Sequence, residues 1–269
     1  VPSTPRSRPR PARLPRRPGR PLRLTQFSDL HLLGDPGQTL RGVDTAATFA
    51  ETLDAAATAI RRADLLLLTG DLAEHGEAAA YARLRRQLAG LAARPFAVPG
   101  NHDDAARLAR CLPASGARRV AALALGNWRL LLLDSALPGH SAGRLDRRQL
   151  DWLRRQLRRQ RRQPTLVILH HPPLPLGTRW LDAIALQNGS LLRRLLAPFA
   201  QVRGVVCGHV HQAHDRRRGG VRYLATPSTC VQFVPGTPRP RVDDLAPGWR
   251  ELRLFPSGRL RSEVRRAGR

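Results

Sequence analysis

The sequence predicts an α/β protein built on buried sheets, and three observations predict it. Short apolar runs of strand length recur along the chain. Stretches with helical spacing separate them. Clusters of Asp, Asn and His follow several of the runs. Of 269 residues, 42% are hydrophobic and 25% charged, which suits a globular protein able to bury a core in one large domain or two small ones. No apolar run approaches the roughly 20 residues of a membrane helix. An integral helical membrane protein, a collagenous chain and a wholly disordered one are excluded.

Residues 1–21 carry seven Arg, seven Pro and no acid. Frequent proline and self-repelling charge predict a disordered basic tail. No apolar stretch follows its arginines, so it lacks the pattern of a secretory signal. A start at Val1 fits a GTG codon or upstream sequence translated with the gene. One domain is expected over 22–269. Its strands are expected at Leu22–Phe27, 64–68, 96–98, Trp128–Leu133, 165–169, Val202–Cys207, Val221–Ala225 and 250–255. The last ones, separated by turns, are expected to be antiparallel. Helices are expected at 45–61, which is Ala-rich, and at 78–91, where Tyr81, Leu84, Leu88 and Leu91 recur at helical spacing. A third, at 146–159, is the best signalled. Asp146 can cap it, Gln149 stands in capping-box position, Leu145 and Leu150 have staple spacing, and Leu150, Leu153 and Leu157 form its core face.

The 46 basic residues are all Arg, against 20 acids, for a net charge of +26. An absence of Lys and Met beside many Arg, Ala, Gly and Pro is the composition of a GC-rich genome. Beyond the tail, 39 Arg still face 20 acids, so the excess is general. Such a field attracts anions, either nucleic acid or a phosphate substrate. Aromatics are only 4% and are not interleaved with the arginines, which weakens the nucleic-acid reading. Cys111, Cys207 and Cys230 are odd in number and lack C-x-x-C spacing. Neither a disulfide framework nor a cysteine zinc site is expected, and a reducing cytoplasm is the expected home.

Five polar clusters follow expected strands. They are Asp29-Leu30-His31, Gly70-Asp71-Leu72-Ala73-Glu74, Gly100-Asn101-His102-Asp103, His170-His171-Pro172-Pro173 and Gly208-His209-Val210-His211. Each alone is weak, since Gly-Asp after a strand is often only a turn and His-x-His on a loop is often only surface. Taken together, they should converge in one crevice at the carboxyl ends of the strands.

In their types and order these clusters resemble the signature of the calcineurin-like metallophosphoesterases, from about residue 22 to 255. The resemblance is closer to the bacterial class III cyclic-nucleotide phosphodiesterases. It rests on Gly70-Asp71-Leu72-Ala73, Leu132-Leu133-Asp134-Ser135, Gln149-Leu150-Asp151-Trp152-Leu153, Trp180-Leu181-Asp182, residues 224–233 (LATPSTCVQF) and Ala246-Pro247-Gly248-Trp249-Arg250. It implies a four-layer α/β/β/α sandwich with mixed sheets. It also implies hydrolysis of 3′,5′-cyclic AMP to 5′-AMP, with metal-bound hydroxide as nucleophile.

The chemistry requires two cations, about 3.5–4 Å apart, which neutralise the phosphodiester and activate water. By this resemblance Asp71 bridges them. Asp29, His31 and His211 complete one metal site; Asn101, His170 and His209 complete the other. His170 is favoured over His171 because it directly follows the strand. Mixed nitrogen and oxygen donors suit borderline ions such as Fe, Mn, Zn or Co rather than Ca or Mg alone, and Fe is the ion expected. His102 is the candidate general acid, with Asp71 also placed in the catalytic set. His31, Asp71, Asn101, His102 and His211 are the residues expected against a cyclic-nucleotide substrate. Asp103 either orients His102 or caps the next helix, with Asp104 as its competitor for the cap. His75, His140 and His214 are expected outside the set. A 2′,3′-cyclic nucleotide or a nucleotide diphosphate link is the alternative substrate. A basic nucleic-acid-binding protein is the alternative of another class.

Overall fold

The structure is a computed structural model, and it describes residues 12–13, 19–112 and 120–268. Most of the expected tail, residues 1–11 and 14–18, lies outside the described residues. Within it, Ala12–Arg13 (β1) pairs in parallel with the edge strand Val120–Leu125 (β5), a short departure from the expected absence of sheet. An edge strand offers unpaired backbone groups to any passing extended segment.

Two mixed sheets carry the fold. One runs through Leu22–Phe27 (β2), Leu65–Thr69 (β3) and Pro95–Val98 (β4), which are parallel. Gly248–Leu254 (β13) and Leu260–Arg266 (β14) join antiparallel, giving the order β14-β13-β2-β3-β4. The other is seven-stranded. Trp128–Leu133 (β6), Thr165–Ile168 (β7), Val202–Cys207 (β8) and Val221–Ala225 (β10) are parallel; β5 and His214–Arg218 (β9) flank them antiparallel, and β1 adds outside β5. Against the expectation for the late strands, β10 is therefore parallel to one neighbour.

The apolar runs alternate between two interiors. Leu65 and Leu67 of β3 pack in a core between the sheets, whereas Leu66 and Leu68 face an outer core. Leu130 and Leu132 of β6 meet them in the middle, while Leu131 and Leu133 face the opposite outer core. Helices Thr45–Ala55 (α1), Ala57–Arg62 (α2), Ala78–Leu88 (α3) and Ala105–Cys111 (α4) cover the first sheet. Arg147–Arg159 (α5), Arg179–Ala183 (α6) and Gly189–Leu196 (α7) cover the second. The result is the expected four-layer α/β/β/α sandwich.

The helix expected at 45–61 is broken at Ala56. The Thr52 hydroxyl donates back to the Thr48 carbonyl at 2.7 Å, a bond that loosens the helical ladder. Asp146 caps α5 by accepting from Gln149 N at 2.7 Å. The Gln149 side chain does not close the box; its amide bonds both backbone groups of Asp134, tying α5 to the end of β6. Strands β5, β9 and β14 and helices α4, α6 and α7 were not expected. β9 reads His-Asp-Arg-Arg-Arg, with no apolar residue to betray an edge strand. The buried Arg250 joins the sheets. Its guanidinium donates to the His214 and Ala225 carbonyls and to Ser262 and Thr226 hydroxyls. All three cysteines are free. Among the described residues, no helix is long and apolar enough to cross a membrane.

Candidate metal centre

The loops leaving β2, β3, β4, β7 and β8 bring all five polar clusters to one end of the sandwich. Parallel strands with their carboxyl ends in register place each following residue beside the next. Asp29, His31, Asp71, His209 and His211 sit at φ values of 54°, 49°, 51°, 74° and 51°. Left-handed backbone costs a non-glycine residue on the order of 1–3 kcal/mol and persists only where surroundings enforce it. Here Asp29 N donates to Gly70 O at 3.0 Å and His31 N to Asp71 O at 2.9 Å. His209 N donates to the Asp29 carboxylate at 2.9 Å. Gly100 leaves room for Asp71, because a Cβ there would collide with its carboxylate.

Asp71 stands in the middle. Its Oδ2 is 3.2 Å from His170 Nε2 and 3.9 Å from His31 Nε2. On one side Asp29, His31 and His211 offer ligand atoms all within 4.8 Å of one another, as do Asp29, Asp71 and His170 on the other. Two imidazole pairs face each other nitrogen to nitrogen at 3.1 Å: His31 with His211, and His170 with His209. Such a pair needs a proton or a cation between its lone pairs. Asn101 Oδ1 is buried with no hydrogen-bond partner, an acceptor waiting for a positive charge. These features fit a pair of metal ions.

Atoms behind the ligands set their tautomers. His170 Nδ1 bonds the Thr69 carbonyl and His211 Nδ1 the Val231 carbonyl, each at 2.7 Å. His31 Nδ1 bonds Glu74 Oε2 at 2.5 Å. In all three, Nε2 is left for the centre. His171 is different: both its nitrogens are committed, to Ser135 Oγ and the Ser141 carbonyl. It packs on His209 with ring centroids 4.5 Å apart and steadies that ring.

Burial would raise the Asp71 carboxyl, but the His170, His31 and His102 imidazoles beside it hold it well below the usual carboxylate range. Burial pushes Asp29 up to about 6 despite the attraction of His170. Burial also works against protonated His170, yet Asp71 raises it to about 9. His31 is likewise raised, its burial outweighed by Glu74 and Asp71. Burial, with the neighbouring imidazoles, lowers His209 to about 3 and His211 well below its usual range. In each facing pair one ring is thus held toward its protonated form and the other toward its neutral form.

His102 is half-exposed at the rim, with its ring edge-on to His31 at 4.9 Å. The His102 backbone N–H donates to Asp71 Oδ1 at 2.9 Å. Its Nδ1 bonds the Glu74 carbonyl at 2.9 Å, which leaves Nε2 for proton transfer. The two roles considered for Asp103 both give way. Asp104 is the N-cap of α4, accepting from Ala106 N and Arg107 N at 2.9 Å. Asp103 accepts from Gly100 N, Leu72 N, Ala73 N and Tyr81 Oη, and so clamps the β3 and β4 loops together. Sequence reasoning missed this clamp and the role of Glu74 behind His31. His75 and His140 are exposed, and His214 lies on β9, outside the centre.

The profile of the calcineurin-like phosphoesterases matches residues 22–213. The chain belongs to that family. It is 43% identical to 3′,5′-cyclic adenosine monophosphate phosphodiesterase CpdA of Pseudomonas aeruginosa over 243 residues, 90% of this chain and 89% of that protein. To the protein of the same name from Escherichia coli K12 it is 39% identical, over 91% of this chain and 90% of the relative. Among solved structures of the fold, a dimetal phosphatase from Danio rerio superposes with a TM-score of 0.69 at 15% identity, covering 91% of this chain and 96% of the other. Calcineurin-like phosphoesterases use a dinuclear metal centre, and the Asp and His groups above are the candidate ligands in this member.

Proposed function

We propose that the protein hydrolyses 3′,5′-cyclic AMP to 5′-AMP. The observation that carries this reading is Asp71, set between two histidine sets in a chain related over nine-tenths of its length to 3′,5′-cyclic AMP phosphodiesterases. Two metal ions, when bound, neutralise the phosphate and lower the pKa of water enough to supply hydroxide at neutral pH.

The chain's own groups do the rest. Asp29, His31 and His211 hold one ion and Asn101, His170 and His209 the other, with Asp71 shared. This donor set lacks sulfur and suits borderline ions such as Fe, Mn, Zn or Co, of which Fe is the ion we propose. His31, Asp71, Asn101, His102 and His211 surround the cyclic phosphate. His102 Nε2 gives its proton to the departing 3′ oxygen as the P–O3′ bond opens. The Glu74 carbonyl holds Nδ1–H, so the ring is oriented for that transfer. Residues 22–269 form the catalytic domain and 1–21 an appended basic tail. Free thiols at all three cysteines suit a cytoplasmic setting.

The test is hydrolysis of cyclic AMP, cyclic GMP and 2′,3′-cyclic AMP by protein loaded with Fe or Mn. Conversion of cyclic AMP to 5′-AMP is the expected result; cyclic AMP left intact would overturn the substrate. A second role is favoured by the arginine surface. Arg20, Arg23, Arg61 and Arg62 line a cavity of about 350 Å³ away from the metal centre. Nucleic-acid binding that falls steeply with salt would support it.

A further inference from the structure

Two sequence segments unused by the metal chemistry, Trp180-Leu181-Asp182 and residues 224–233, meet beside the metal centre. Phe233 lies against His211, with centroids 4.8 Å apart and rings tilted by 31°. Trp180 meets Phe233 edge-on at 5.2 Å and 90°. The Arg41 guanidinium lies over the Phe233 ring, 5.6 Å from its centroid. Phe233 is half-buried and Arg41 exposed.

The backbone fixes both partners. Phe233 sits in a two-stranded ribbon, Gln232–Phe233 (β11) with Val242–Asp243 (β12). Its N–H donates to the His211 carbonyl, and its carbonyl accepts from Gln212 Nε2 at 3.0 Å. Arg41 and Gly42 have φ values of 52° and 80°, and Leu40 and Val43 exchange both backbone hydrogen bonds at 2.9 Å. That is a tight turn with left-handed central residues, a place where Asn or Gly is usual. Among the described non-glycine residues, Arg41 alone has a positive φ outside the candidate metal ligands. Strain of this kind is concentrated at functional sites.

We propose that Phe233 and Arg41 form the nucleobase subsite of the enzyme. The exposed Arg41 guanidinium, which now covers the Phe233 ring, moves outward to admit the planar base between them, and Trp180 buttresses the ring from its edge. The assignment rests on the cyclic-nucleotide reading above. A cyclic nucleotide joins its phosphate to its base through a single sugar. Phe233 touches His211, so a phosphate at the metal centre leaves the base within reach of this ring. A metal pair grips any diester alike, whereas an aromatic face with a cation beside it adds affinity only for a substrate that carries a base. Stacking reads the face of the base and not its edge, so adenine and guanine both gain from it.

The test compares cyclic AMP with its base-free analogue, ribose 3′,5′-cyclic phosphate, using holoenzyme whose metal content is measured. For Phe233→Leu, kcat/KM on cyclic AMP should fall roughly tenfold relative to the base-free substrate, within the range of base–aromatic stacking. Arg41→Ala should shift the same ratio by less, and Phe233→Trp should restore it. Equal losses on both substrates, or an unchanged ratio, would overturn the subsite and leave Phe233 as packing for His211. Binding of 5′-AMP against ribose 5-phosphate gives the same comparison without turnover. If wild type leaves cyclic AMP intact, the substrate reading fails on its own, and the binding comparison still decides the subsite.

Discussion

The two halves of the proposed metal centre meet at Asp71 and differ in what stands around it. The Asp29 half has a second buried carboxylate, and a third, Glu74, behind His31. The proposed Asn101 half has one carboxylate ligand, the shared one, with Asp29 beside it but assigned to the other ion, and otherwise imidazole and amide donors, His170 being backed by the Thr69 carbonyl. Concentrated negative charge favours the more highly charged or more tightly held cation. The halves are therefore unequal, and in a titration with limiting metal the Asp29 half should fill first.

The comparison breaks most completely at the residue common to both halves. Asp71→Ala should lose both ions by metal analysis, and lower turnover by more than the roughly 10²–10⁴-fold expected from loss of a general acid. Full retention of one ion would mean that Asp71 does not bridge. His102→Gln belongs to neither half. It should keep both ions and lower kcat by about 10²–10⁴-fold on cyclic AMP, and by less on a diester with a nitrophenolate leaving group, which departs without a proton. A Glu74→Gln substitution touches one half only. The tighter site should weaken by about 10–100-fold while the other is preserved, as is usual when a carboxylate behind a ligating histidine is lost. Equal weakening of both sites in a two-step metal titration would show that the halves are coupled through more than Asp71.

The smallest effect is one of pH. His170 titrates at about 9 without metal, because Asp71 outweighs its burial. Below that pH it carries a proton that an incoming ion must displace. Metal affinity in the Asn101 half should therefore rise with pH up to about 9 and level off above it. Calorimetry at pH 7 in two buffers of different ionisation enthalpy should register proton release. Identical heats would mean His170 is already neutral.

Much of the site was legible because each polar cluster begins within a few residues of the end of an apolar strand. That adjacency put Asp29, Asp71, Asn101, His170 and His209 at one end of the sheets, and the resemblance named them as ligands. Partners contributed from the far side of a loop were not. Glu74 was visible only as one acid among several after β3, and nothing in its neighbours announces the bond to His31. Asp103 and Asp104 are adjacent carboxylates, and only the direction of α4 separates the clamp from the cap. The edge strands escaped for another reason. β9 is almost entirely arginine outside its first two residues, and its pairing is set by the free edge of β10 and not by its own side chains.

By itself the sequence determined the layered α/β class, the end of the sheets where chemistry gathers, and the identity of the candidate ligands. Apolar periodicity and covalent order are local properties and suffice for the first two; the ligands were named through the resemblance that the order of the clusters carries. Only the tertiary structure decided which nitrogen of each histidine turns inward, that His171 supports while His170 faces Asp71, and that Arg41 reaches Phe233. Those outcomes depend on atoms brought together from distant segments, as His31 meets His211 across 180 positions. Such contacts are settled by how the two sheets stack, which no local pattern encodes.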